Sequence, residues 1–288
     1  MNILVRQLRP LLKLLKRLKR RLTPYRNPIA ILGGRQVGMD GLRRAVAPAL
    51  VERGRDDSVL IIAFTGDAGA LMMPVYDFFE TTKLLGYSRI LLHDQYHKWY
   101  HRGIDDQRPD FPSLIAYLRE EIKRLGPQKV LCIGTSIGGY AAIRAGHELG
   151  ADYVHAFSPP TGEPPVELEA ADAARLRFVR HKSGIPALDL SQILKTWNKK
   201  TVYYIHYCRA CKVERYHAER MVRSPGIVTI GYPCSTHLVT VFLAKKGFLT
   251  EALAIANQDR LGEIAKAHFG ESLAINELQS DRAGSHSE

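Results

Sequence analysis

A serine bracketed by glycines two positions away on either side, in Gly134-Thr135-Ser136-Ile137-Gly138, is the arrangement in this 288-residue chain with the most obvious chemistry in it. An apolar run over 130–133 precedes it and a helix-forming run follows, so the serine sits on a strand-to-helix turn. So sharp a turn forces its central residue into a strained backbone conformation, and only small neighbours let strand and helix approach that closely. The hydroxyl then projects above the carboxyl edge of the sheet, at the start of a helix whose free N–H groups favour developing negative charge. Nucleophilic catalysis by Ser136 is the expected chemistry. A phosphate-binding loop is the other use of a glycine-rich turn, but no lysine follows at the position such a loop requires and G-x-G-x-x-G spacing is absent.

The elements needed to position this serine are visible on either side. Apolar runs rich in β-branched residues occur over 59–64, 90–92, 130–133, 153–157, 202–205 and 227–230, and helical stretches such as 113–125 and 140–149 separate most of them. Strands without polar alternation, interleaved with helices, predict a mostly parallel sheet covered by helices on both faces, a three-layer α/β arrangement. A further short strand and turn is expected at 29–34. The rhythm breaks between 158 and 198, where Pro159, Pro160, Pro164 and Pro165 lead into an acidic and then a basic stretch, which suggests an insertion near 159–198.

With the G-x-S-x-G turn in this context, the chain resembles the α/β-hydrolase superfamily over about residues 57–250. The resemblance implies an α/β-hydrolase fold and a triad in the chain order nucleophile, acid, histidine. The base is then expected on the loop after the last central strand, which points to His237 in 231–237; His155, inside a strand, is more simply structural. The acid is expected after the preceding strand, where 206–218 offers one carboxylate, Glu214. Members of the superfamily often carry Asp three residues before a His-Ala pair here, and Glu departs from that choice while remaining an accepted acid. Two backbone N–H groups are expected to hold the oxyanion: Ile137, directly after the nucleophile, and Asp67 in the turn 64–67, with Gly66 as the alternative. An acidic side chain at 67 must point away from that site or be neutralised. The implied activity is hydrolysis of a carboxylic ester or thioester, from a small-molecule or acyl ester substrate, through an acyl-enzyme, with no metal or organic cofactor. Acyl transfer through the same triad, or an inert hydrolase-like binding protein, are the competing readings.

Two other clusters carry alternative chemistry. Cys208-x-x-Cys211, with Cys234 near in the expected topology, hints at zinc or redox work, but no second C-x-x-C exists and unbridged thiols are the simpler reading. The segment 93–102 follows a strand at its carboxyl end, where ligands bind in such sheets, so Trp99 and Tyr100 are candidates to line a substrate pocket; packing the loop down is the other use of such aromatics.

Composition bounds the rest. Hydrophobic residues make up 45% and charged residues 24%, which excludes disordered and multi-span membrane classes, and four cysteines cannot form a disulfide scaffold. A reducing, cytoplasmic location is expected. Of the net charge of +12, eight units sit in residues 1–22, which contain no acid, leaving +4 for the remainder and disfavouring nucleic acid as a partner. In that stretch Leu4, Leu8, Leu11, Leu12, Leu15, Leu18 and Leu22 recur at steps of three and four, opposite the bases. A basic amphipathic helix is expected over 1–24, lying on an anionic membrane surface, in a partner's groove or on its own domain; an organelle transit peptide is a further use of such a segment. The hydrolase domain is expected over 25–270, with a polar tail over 271–288.

Overall fold

The computed structural model describes residues 30–32, 35–37, 47–66, 78–162, 168, 187–197, 200–234, 239–270 and 273–276. The expected helix over 1–24 and the residues Asp67 and His237 lie outside them. The chain divides into two compact units, Met1–Val46 and Ala47–Glu288. In the first, β1 (Ala30–Leu32) pairs antiparallel with β2 (Arg35–Val37). The strand expected at 29–32 is thus one arm of a two-stranded hairpin.

The second unit is built on an eight-stranded sheet in the order β10-β9-β8-β7-β6-β4-β5-β3. Its central members are β4 (Asp56–Phe64), β5 (Tyr87–Leu92), β6 (Lys129–Thr135), β7 (Tyr153–Phe157), β8 (Val202–Cys208) and β9 (Ile227–Tyr232), all parallel to one another. The edges are β3 (Ala49–Glu52) and β10 (Ala274–Asn276), both antiparallel. Alternate residues of β4 feed two cores, which explains its unbroken apolar run: Leu60, Ile62 and Phe64 face one side, Val59, Ile61 and Ala63 the other. On the first side lie α2 (Phe111–Leu125), α3 (Ile137–Leu149) and α4 (Leu190–Ile193). On the second lie α1 (Phe79–Leu85), α6 (Val239–Lys245), α7 (Leu249–Leu253) and α8 (Leu261–Phe269); α5 (Lys212–Met221) runs from β8 to β9. This is the expected three-layer α/β architecture, with a mostly parallel sheet and helices on both faces. Among the described residues no helix is long and apolar enough to cross a membrane.

The edges depart from expectation. Neither β3 nor β10 was signalled by an apolar run, and residues 274–276 belong to the sheet rather than to a polar tail, since Ile275 packs against the second core. A three- or four-residue edge strand needs hydrogen bonds on one side only, so it leaves little pattern in the sequence. On β3, Glu52 accepts from Arg89 Nε at 2.6 Å, and the Arg89 guanidinium, buried on β5, also donates to the Phe79 carbonyl at 2.6 Å and Thr82 Oγ1 at 3.0 Å.

The described ends of the expected insertion are both tied down. The Thr161 N–H donates to His217 Nδ1 at 3.2 Å, Arg220 forms an ion pair with Asp189 at 2.6 Å, and the Leu188 N–H donates to the Tyr140 hydroxyl at 3.0 Å.

Beneath the carboxyl edge runs a buried polar chain. The Gln258 amide nitrogen donates to the carbonyls of Ala252 and Ala254, both at 2.9 Å, so its oxygen must accept, and it lies 2.6 Å from His155 Nε2. That assigns the remaining protons in turn: His206 Nε2–H donates to His155 Nδ1 at 3.1 Å, and the Tyr232 hydroxyl donates to His206 Nδ1 at 3.0 Å. Burial pushes the His155 imidazole down to about 4 and His206 well below its ordinary value, so both are neutral. In the unfolded chain both take up a proton near pH 6.5, whereas the folded chain resists it. Stability is therefore complete above pH 6.5 and is lost as pH falls toward 4. The expected loss at pH 5 is about 2 kcal/mol for each imidazole, read as a falling urea midpoint between pH 7.5 and 5; a flat profile would show that the chain is not neutral in the folded state.

Candidate functional site

Ser136 sits between β6 and α3 with φ 53° and ψ −121°, a left-handed backbone that costs a serine about 1–3 kcal/mol and must be held by its surroundings. The Ser136 N–H donates to the Phe157 carbonyl at 2.8 Å, continuing the β6–β7 ladder by one rung, and its carbonyl accepts the Tyr140 N–H at 3.1 Å as the first bond of α3. The flanking glycines are sterically required. A Cβ on Gly134 would meet the Gly138 carbonyl oxygen at 2.1 Å, and a Cβ on Gly138 would meet the Phe64 carbonyl oxygen at 2.1 Å. Backbone therefore packs on backbone at both positions, and the end of β4 is pressed against the first turn of α3.

That contact brings two expected oxyanion donors to one edge. Ile137 opens α3 and is buried, and the Thr65-Gly66 turn leaves β4 immediately after the Phe64 carbonyl that touches Gly138. The turn is held at both faces of Thr65: its N–H donates to the Leu92 carbonyl at 3.1 Å, and its carbonyl accepts the Tyr100 hydroxyl at 2.9 Å. Asp67 follows outside the described residues.

Tyr100 belongs to a loop with an unusual concentration of left-handed residues, His97, Trp99 and Tyr100, with φ of 52°, 59° and 60°. Asp94 closes it, its carboxylate accepting the N–H groups of Tyr96, Lys98 and Tyr100 at 2.8–2.9 Å. Burial raises the Asp94 carboxyl, against the opposing pull of these three donors. Trp99 and Tyr100 are themselves buried, Trp99 edge-on to the Tyr140 ring at 5.2 Å and Tyr100 edge-on to Phe64 at 5.4 Å. These contacts are of the loop-packing kind, and through Thr65 they reach the Thr65-Gly66 turn. The part played by Asp94 and by the Tyr100 hydroxyl was not anticipated from sequence; an aspartate closing the strand that precedes a tight loop was the available signal.

Glu214 occupies the third position of α5 and is only 3% exposed. It reaches back over the turn that precedes the helix, and its Oε2 accepts the Cys208 N–H at 2.7 Å and the Ser158 hydroxyl at 2.9 Å. Two donors on one oxygen offset much of the cost of burying the charge. Ser158 is a residue sequence reasoning missed. It ends β7, and its N–H donates to the His206 carbonyl at 2.7 Å, so Ser136, Ser158 and Cys208 stand on successive strand ends. The segment carrying His237 follows β9, between Cys234 and Val239, with His237 itself outside the described residues.

The Cys208 thiol donates to the Cys234 carbonyl, and all four cysteines are buried and outside any disulfide. Among the described residues no group of three His, Cys, Asp or Glu side chains is placed to hold a metal ion.

No protein-family model matches the sequence, and no curated protein matches it. Among solved structures, the chain is similar to the capsule O-acetyltransferase of Neisseria meningitidis serogroup A, at 14% identity and a TM-score of 0.49 over 70% of this chain and 89% of that one. It is similar to an esterase from Exiguobacterium antarcticum at 16% identity and a TM-score of 0.48, over 71% and 93% of the two chains. A carboxylesterase of the thaumarchaeon Nitrososphaera gargenis is similar at 15% identity and a TM-score of 0.48, over 73% and 96%. Likeness at this level selects no substrate.

The steric argument at the turn has a direct test. Gly138→Ala is expected to lower the free energy of unfolding by about 3 kcal/mol, because the Phe64 carbonyl it would strike is backbone and cannot rotate away. Urea denaturation measures this, and unchanged stability would show that the approach of α3 to β4 is not what shapes the turn.

Proposed function

We propose that the protein is a serine hydrolase that cleaves a carboxylic ester or thioester through an acyl-enzyme on Ser136. The observation that carries this reading is the left-handed conformation of Ser136 between Gly134 and Gly138, strain that a purely structural strand-to-helix turn has no need to store. In this reading His237 removes the Ser136 proton as Oγ attacks the acyl carbonyl, and Glu214 orients the imidazole and stabilises its charged form. The N–H of Ile137, with that of Asp67 or Gly66, holds the negative oxygen of the tetrahedral intermediate. His237 then passes the proton to the departing alcohol or thiol. Water, deprotonated by the same imidazole, attacks the acyl-enzyme and releases the acid. Neither half-reaction calls for a metal or an organic cofactor. Trp99 and Tyr100, named from sequence as candidates to line the substrate pocket, serve in this reading as anchors of the loop that holds the Thr65-Gly66 turn.

We further propose a cytoplasmic, membrane-peripheral location. Four cysteines outside any disulfide fit a reducing compartment, and the eight bases and leucine stripe of residues 1–22 fit an anionic lipid surface.

A fluorophosphonate probe is expected to label the wild type, and Ser136→Ala is expected to lose labelling by at least about a thousandfold. Equal labelling of the two proteins would remove the assignment. For the N-terminal segment, the full chain is expected to sediment with phosphatidylserine vesicles at low salt and to be released as salt is raised, and deletion of residues 1–22 should abolish sedimentation. Vesicle binding that survives the deletion would refute the membrane role.

A further inference from the structure

Resting on the serine-hydrolase reading, we propose that Ser158 is the positioning residue of the triad acid, holding the Glu214 carboxylate in place through its Oε2. Ser158 lies 56 positions from Glu214 in the chain and is fully enclosed, 2% exposed. Its backbone is left-handed, with φ 50°, and Pro159 follows it. Glycine would hold that conformation at lower cost, and the one thing glycine lacks is the hydroxyl. That hydroxyl makes a single, directed contact, to Glu214 Oε2 at 2.9 Å.

The backbone of Ser158 is in turn registered to β8 by its N–H bond to the His206 carbonyl at 2.7 Å, so the donor is fixed with respect to the strand that leads to the acid. The second donor, the Cys208 N–H at 2.7 Å, comes from the end of that same strand. Both meet Oε2, one from the residue after β7 and one from the end of β8, so the carboxylate is held at that oxygen by two donors arriving from different strands.

The test uses the full chain and a fluorophosphonate probe, separating the maximal inactivation rate from the half-saturating probe concentration. Ser158→Ala is expected to lower the maximal rate about tenfold, the size of one lost charge-assisted hydrogen bond, while leaving half-saturation within about twofold. Ser158→Gly, which keeps the left-handed backbone without strain, should behave the same way and guards against misfolding of the alanine variant. The decisive comparison places Ser158→Ala in a Glu214→Gln background. A residue that acts through the carboxylate adds no further loss there, whereas a general structural defect adds its full tenfold. Persistence of that tenfold loss, or single variants that label at the wild-type rate, would overturn the role of Ser158 while leaving the hydrolase reading intact. A wild type that takes no label at Ser136 would fail the hydrolase reading itself and this role with it.

Discussion

Where α3 leaves β6, three pieces of main chain touch with no room for a methyl group between them. The Gly138 backbone rests on the Phe64 carbonyl, and the Gly134 backbone rests on the Gly138 carbonyl. Almost everything else at the carboxyl edge follows from that contact. It sets the height at which Ser136 emerges, it presses the Thr65-Gly66 turn against the first turn of the helix, and it requires the left-handed geometry of the serine between them. The neighbouring strands then continue the pattern through backbone bonds alone, from Ser136 to Phe157 and from Ser158 to His206. Main-chain bonds between strand ends are a stiffer way to place side chains than loop packing, which suits a site whose parts come from four strands.

Polar groups buried behind this edge are handled in two contrasting ways. His155 and His206 are kept neutral, and each hydrogen in their chain has one acceptor, so no charge is placed in the sheet. Glu214 is instead given two donors on one oxygen. The first arrangement contributes stability that disappears when an imidazole is forced to take a proton; the second offsets the cost of burying a carboxylate with two directed donors.

The central strands and the Ser136 turn were legible in the sequence because their signals are local: an apolar run, a glycine at each side, a helix to follow. Glu214 could be singled out only because one carboxylate exists in the segment after β8. Ser158 could not, since its meaning depends on the register of β7 against β8 and on a helix that begins more than fifty residues later. The edge strands β3 and β10 escaped for a different reason, being too short to show a period. Trp99 and Tyr100 illustrate a third kind of limit: an aromatic pair at a strand end reads the same whether it lines a cleft or anchors a loop, and only the Tyr100 bond to the Thr65 carbonyl separates the two.

Helix α5 carries more than the acid. On its ten residues, about 15 Å of rigid rod, stand Glu214, which accepts from Ser158, and His217 and Arg220, which hold Thr161 and Asp189 in the stretch between β7 and β8. A single rigid rod thus holds the Glu214 carboxylate near one end and the contacts to Thr161 and Asp189 along its flank, so the placement of that carboxylate and the anchoring of these two residues rest on one element.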